Sequence, residues 1–236
     1  PYLKTILYLN VMSNISRPKR IVKRKLFPFN GDKNIWDKLE IDDETVSYIS
    51  LPEDAENITK IIETHCKNLR LNTNNLTITD ATSGAGGNVL SFSKVFKLVN
   101  AIEIDTKRYH FLTNNLQVYK IHNVNHYCDD CTNLIFNIFQ DIIFFDPPWG
   151  GKEYKEKDNI RLKIGDISIE ALCLKLMNKN ECKYSPKMIA LKLPKNYDIE
   201  HLHNSFKKIN VTTILHSLAK MNVIIAYDNE INLNDI

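Results

Sequence analysis

The sequence predicts an α/β fold whose mostly parallel sheet of seven strands ends in an antiparallel hairpin. Three observations carry this reading. From residue 52 onward, short apolar runs alternate with helical stretches; the last two runs stand only a few residues apart; and a glycine-rich turn follows the first run. In order, residues 1–50 read as a small, partly helical N-terminal extension and 51–236 as the main domain. Pro52-Glu53-Asp54 places a proline and two carboxylates in the first turn of a helix that runs to about Leu69, with Ile58, Ile61 and Ile62 on one face. Strands follow at 76–80, 98–104, 124–128, 141–145, 187–193, 211–218 and 222–227. The first five read as buried parallel strands joined by helical crossovers, and the last two as the closing hairpin.

Composition narrows the class before any motif is considered. At 236 residues, 43% hydrophobic and 25% charged, the chain is long enough to bury one ordinary core and is neither disordered nor fibrous in make-up. It contains no apolar run of the roughly 18 residues a spanning helix needs, and the first residues lack a basic leader. The expectation is a soluble intracellular protein, cytoplasmic or nuclear, with no membrane partner. Five scattered cysteines suit reduced thiols, and Cys128-x-x-Cys131 has no second pair at zinc spacing, so no metal is expected. The net charge of +3 is small, but Arg17, Lys19, Arg20, Lys23, Arg24 and Lys25 crowd into nine residues. That run fits a solvated face, a nuclear address or a nucleic-acid contact.

The chemistry begins where the first strand ends. Asp80-Ala-Thr-Ser83-Gly84-Ala-Gly86-Gly87-Asn88 joins a strand to a helix through small residues, so a ligand can approach the main chain at Ser83, Gly84 and Gly86. Asp80 can accept from an ammonium or hydroxyl group. Glu103, 23 residues beyond Asp80 at the tip of the second strand, is placed to take both hydroxyls of an adenosine ribose. Asp130, after the third strand, is a weaker candidate for the adenine amine and equally a helix cap. The loop misses the G-x-G-x-x-G spacing, and a dinucleotide-binding sheet would continue through helical crossovers. The closing hairpin instead matches the Rossmann-like sheet of class I S-adenosylmethionine-dependent methyltransferases.

The fourth strand runs straight into Asp146-Pro147-Pro148-Trp149-Gly150-Gly151. Two prolines fix the backbone and remove two donors, leaving carbonyls of the turn free to face a ligand. Asp146 and the adjacent Pro147 carbonyl can accept both hydrogens of an exocyclic amine, while Pro148 and Trp149 offer a surface for a planar base. Holding the nitrogen in line with a methyl donor favours its pyramidal geometry. Such segments mark methyltransferases acting on amines of adenine, guanine, cytosine or amide side chains.

Taken together, the residues resemble the trimethylguanosine synthase family, the RNA cap guanine-N2 methyltransferases. The resemblance rests on Asp-Ala-x-x-Gly-x-Gly-Gly-Asn at 80–88, Ala-Ile-Glu-Ile-Asp at 101–105, Asn-Asn-x-x-Val-Tyr at 114–119, Pro-Pro-Trp-Gly-Gly-x-x-Tyr at 147–154 and Leu-Pro-Lys-Asn-x-Asp-Ile at 193–199. It implies S-adenosylmethionine held by Asp80, Gly84 and Glu103, with Phe27 of the N-terminal extension against the adenosine. It also implies that Trp149 stacks on the 7-methylguanine of capped RNA, with Asn115 near the cap or cofactor and Lys195 near the cap phosphates; Lys192 either assists or is surface. Methyl transfer to N2 would give 2,7-dimethylguanosine, and a second transfer 2,2,7-trimethylguanosine. Two departures stand out: Leu51 occupies the place of a hydroxyl residue, and Asp146 that of a serine. An adenine-N6 or other nucleobase methyltransferase, a non-catalytic cap-binding module and a nicotinamide dehydrogenase are the competing readings.

Overall fold

The computed structural model describes residues 19–229. In chain order the helices are α1 (Arg20–Leu26), α2 (Ile35–Lys38), α3 (Pro52–Asn68), α4 (Gly87–Phe92), α5 (Thr106–Val118), α6 (Cys131–Leu134), α7 (Ile169–Met177) and α8 (Ile199–Lys207). The strands are β1 (Thr77–Asp80), β2 (Leu98–Ile102), β3 (Val124–Tyr127), β4 (Ile142–Phe145), β5 (Lys163–Ile164), β6 (Ile167–Ser168), β7 (Met188–Pro194), β8 (Val211–Ser217) and β9 (Met221–Asp228). Seven of them form one sheet in the order β3-β2-β1-β4-β7-β9-β8, in which β9 runs antiparallel to both neighbours. The predicted closing hairpin is therefore β8–β9, inserted so that β9 lies between β7 and β8.

Alternation along the strands builds two cores, one on each face of the sheet. Ile142 and Phe144 face the layer of α3, α4 and α5, whereas Ile143 and Phe145 face α7 and α8. Phe92 of α4 meets Phe144 edge-on at 5.3 Å, a geometry that adds about 0.5–1.5 kcal/mol to simple burial. Helix α3 starts at Pro52, as the proline and the two carboxylates predict, and buries Ile58 and Ile62.

Three expectations are corrected. Strand β3 is an edge strand with Asn125 and His126 exposed, because among the described residues nothing pairs beyond it. Strand β2 stops at Ile102, two residues early, where its pairing with β3 ends. The β5–β6 pair was not predicted; two-residue strands are too short to show a period.

The N-terminal segment is continuous with the first core. Leu26, Phe27, Ile35, Leu39 and Ile41 are buried in it. Lys107 of α5 anchors the segment through Asp42 at 2.6 Å. Burial opposes ionisation of Asp42, but Lys107 and the Thr45 contacts outweigh it and hold the carboxyl below its usual range. Part of the basic run is used internally: Lys23 is buried and donates to the Leu39 carbonyl at 2.7 Å, and Arg24 lies 4.8 Å from the Trp36 ring centre. Arg17 lies outside the described residues. Among the described residues no helix is long and apolar enough to cross a membrane.

Candidate active site

The site forms at the C-terminal edge of the sheet, where β1 sits between β2 and β4 and the strand order reverses, the usual ligand position in such sheets. The Ala81 amide donates to the Phe144 carbonyl at 3.0 Å and the Ser83 amide to the Ile102 carbonyl at 2.9 Å, so the loop is fastened to both neighbouring strands. The Ser83 hydroxyl donates back to the Asp80 carbonyl at 2.9 Å. Gly86 caps α4, and the chain crosses Gly87 so closely that a β-carbon there would lie 2.8 Å from the Ser50 carbonyl oxygen. Only glycine admits the N-terminal segment at this point.

Asp80 is wholly buried. Its Oδ1 accepts the Thr82 amide at 3.1 Å, while Oδ2 has no hydrogen-bond partner among the described residues. Burial, with Asp146 and Glu103 nearby, pushes its carboxyl up to about 8. An orphaned, desolvated acid of this kind fits a ligand that brings its own positive charge. Glu103 is also buried, but its oxygens are engaged: Oε2 accepts the Gly84 amide at 2.9 Å, and Oε1 accepts the Asp105 amide at 2.8 Å and Arg108 Nε at 3.2 Å. The carboxylate is thus held in one orientation, with further lone pairs for a diol. Beyond it Ile104 is 63% exposed, an apolar side chain left facing solvent two residues past the end of β2. Ile104, expected inside the strand, lies beyond its end. Asp130 caps α6, accepting the Thr132 amide at 2.8 Å and its hydroxyl at 2.7 Å.

On the other side of β1, the turn after β4 brings Asp146 and Trp149 to the same cleft. The Asp146 amide donates to the Thr82 hydroxyl at 2.8 Å, tying the two loops together. Gly150 and Gly151 both adopt left-handed φ values, +90° and +72°, which release the chain from the proline turn. Pro147 is buried and Pro148 exposed. Trp149 is half-buried, meets Tyr154 edge-on at 5.3 Å and borders a groove of about 590 Å³ lined also by Pro148, Lys157 and Arg161. That volume suits a nucleotide-sized ligand. Burial pushes the Asp146 carboxyl up, opposed by Lys192 and by the nearby Trp149 indole. The indole N–H stops short of a proper hydrogen bond and is left without a partner.

Two residues, Lys192 and Ser50, join the site from positions that no motif marks. Lys192 is 6% exposed, not surface; its ammonium donates to Asp146 Oδ2 at 2.5 Å and to Ser50 Oγ at 2.8 Å. Ser50 also accepts from Asn88 Nδ2 at 3.0 Å, so a buried hydroxyl stands beside Leu51, where the sequence lacked one. A Lys in an apolar strand and a Ser before Leu-Pro gave no sign of this meeting, which joins residues 142 positions apart.

Asn115, expected at the cap or cofactor, is instead a wholly buried clamp. It donates to the Glu40 and Ala85 carbonyls at 2.9 and 3.1 Å and accepts the Glu40 amide at 2.8 Å, so its amide is spent within the chain. Phe27, expected against adenosine, is 1% exposed within the first core. Lys195 is exposed on the same rim as the site and donates to the Ser217 hydroxyl at 2.5 Å. Its neighbour Asn196 grips the Tyr154 carbonyl at 2.6 Å, tethering the segment after Trp149. Among the described residues no group of three or more His, Cys, Asp or Glu could hold a metal ion. Burial raises the Cys131 thiol to about 12.

Sheet order, antiparallel β9 and the glycine loop after β1 define a class I S-adenosylmethionine-dependent methyltransferase fold. The profile of the RNA cap guanine-N2 methyltransferase family matches residues 75–231, and the chain belongs to that family. An uncharacterised protein of Acanthamoeba polyphaga mimivirus is 39% identical over 223 residues, 86% of this chain and 84% of that one. The trimethylguanosine synthase of Schizosaccharomyces pombe is 29% identical over 132 residues, 53% of each chain, so the match spans about half of that protein. Among solved structures, a precorrin-6y C5,15-methyltransferase from Geobacter metallireducens superposes with a TM-score of 0.54 at 14% identity, over 82% of this chain and 95% of that one. At that identity the likeness is one of fold.

Proposed function

We propose that the protein transfers a methyl group to the exocyclic N2 of a 7-methylguanosine RNA cap. The observation that carries this reading is the meeting, across the Thr82–Asp146 contact, of an acceptor-plus-indole turn with a cleft that contains an orphaned buried acid. S-adenosylmethionine, when bound, supplies a methyl group on an already activated sulfonium. Asp80 Oδ2 fits its ammonium, Glu103 the ribose hydroxyls, the exposed face of Ile104 the adenine, and Gly84 and Asp130 the edges of that pocket. Phe27 and Asn115 support the N-terminal segment that closes over it.

On the substrate side, Trp149 and Pro148 bear the base and Lys195 the cap phosphates. Methylation at N7 makes the base cationic, which an indole face attracts by about 1–2 kcal/mol when water is excluded. Asp146 Oδ1, the oxygen Lys192 does not engage, accepts an amine hydrogen together with the Pro147 carbonyl, so the nitrogen lone pair turns toward the methyl donor. The surplus amine proton leaves past the same carboxylate to solvent. Orientation supplies most of the acceleration, since the donor needs no further activation.

The test offers labelled S-adenosylmethionine with 7-methyl-GDP, GDP, adenine-containing RNA and DNA, and weighs the product. Label on 7-methyl-GDP alone supports the proposal, and the mass counts the methyls. Label on RNA or DNA alone assigns another base amine. Trp149→Ala should abolish cap methylation while the dissociation constant for S-adenosylhomocysteine stays within about threefold; loss of both would make Trp149 structural.

A further inference from the structure

Strand β7 is buried along its whole length, yet its fifth residue is a lysine. Lys192 lies on the face of Met188 and Ala190, toward the N-terminal segment, and pairs with Val223 of β9. An ammonium removed from water costs several kcal/mol unless charge and hydrogen bonds are returned to it. Here both are returned: Asp146 Oδ2 lies at 2.5 Å and Ser50 Oγ at 2.8 Å, with the Trp149 ring centre at 5.6 Å. The titratable acids around the pair are Asp80 of β1, which feels both Lys192 and Asp146, and Glu103 beyond it, itself paired with Arg108. From α4 and the N-terminal segment the contributions are neutral, Asn88 and Ser50. Lys192 is thus the cation that touches Asp146, beside a second buried acid.

We propose that Lys192 is a positioning residue for methyl transfer, holding the Asp146 carboxylate ionised and turned so that Oδ1 alone faces the substrate amine. Through Ser50 the same ammonium sets the N-terminal segment against the acceptor. This rests on the reading of Asp146 as the amine acceptor. The physical reason is an imbalance: a carboxyl in this setting takes up a proton when its cation is removed, and a protonated acid offers one acceptor fewer. A neutral acceptor of the same shape needs no cation. The two residues therefore work only as a matched pair, either both charged or both neutral.

Four variants test this: Lys192→Met, Lys192→Arg, Asp146→Asn and the double variant Asp146→Asn/Lys192→Met. Each is assayed for kcat at saturating S-adenosylmethionine and 7-methyl-GDP across the pH range, with melting followed in parallel. Lys192→Met should move the acid limb of the kcat profile up by about 1–3 pH units, the shift an adjacent opposite charge produces, and recover toward alkaline pH. Lys192→Arg keeps the charge and should leave the limb in place. In Asp146→Asn the ammonium is stranded, and removing it in the double variant should raise kcat at least ~10-fold, the reverse of the effect of the same substitution in the wild type.

An unmoved limb in Lys192→Met, or a double variant no faster than Asp146→Asn, overturns the proposal. If Lys192→Met does not fold, the comparison of Asp146→Asn with the double variant decides alone. If the wild type methylates a different base amine, the cap reading fails separately, and the same variants on that amine still judge Lys192.

Discussion

Cofactor affinity should depend on pH through Asp80, and its slope can be worked from the structure. Burial holds this carboxyl at about 8, so near pH 6 roughly one site in a hundred is ionised. Binding a cationic amino group requires the ionised form, and each ligand bound under those conditions displaces a proton. The dissociation constant for S-adenosylhomocysteine should therefore fall about tenfold per pH unit between about 6 and 8. Above that range Asp80 is fully ionised and the slope flattens, until at higher pH the ligand's own α-amino group, that of a free amino acid, loses its charge; affinity therefore peaks above pH 8.

Titration calorimetry in two buffers of different ionisation enthalpy counts the protons: about one released per ligand near pH 6 and none at the peak. Asp80→Asn should weaken binding at the peak at least ~10-fold and abolish the slope below it. Stability has a definite sign as well. The folded-state pKa lies above the unfolded value of about 3.9, so between about pH 4 and 8 the native chain keeps a proton that the unfolded chain releases. The ligand-free protein loses stability as pH rises through that window, and Asp80→Asn should flatten the loss. Affinity independent of pH from about 6 to 8, or a slope that survives in Asp80→Asn, would refute the ammonium assignment.

Gly87→Ala should cost about 1–3 kcal/mol in a denaturant titration, because its β-carbon would meet the Ser50 carbonyl oxygen at 2.8 Å and backbone has little room to yield; an unchanged midpoint would mean the N-terminal segment does not lie on α4 in solution. Glu103→Ala should raise the dissociation constants of adenosine and S-adenosylhomocysteine together, each at least ~10-fold, through lost hydrogen bonds to the ribose. An unchanged constant for adenosine would leave Glu103 only its observed contacts to Gly84, Asp105 and Arg108.

Local chemistry was legible in the chain itself. Pro52-Glu53-Asp54 marked the start of α3, the short gap between the last two apolar runs marked the hairpin, and strand-then-glycine and strand-then-proline patterns located both halves of the cleft. These features depend on a few adjacent residues and on periods of 2 or 3.6, which a sequence displays directly. Asp80, Glu103, Asp146 and Trp149 stand on one edge because Asp80 ends, and the others follow, parallel strands of one sheet that all finish on that edge.

The tertiary structure decided which polar groups are already spent. Asn115 reads like a ligand residue and is a clamp, because its partners at Glu40 and Ala85 come from segments 75 and 30 residues away. Lys192, which the sequence leaves open between an assisting residue and surface, is buried, because Asp146 and Ser50 arrive from 46 and 142 positions away to receive its charge. Whether an ammonium can leave water depends on partners that only folding brings within hydrogen-bond reach, and no local pattern encodes that sum.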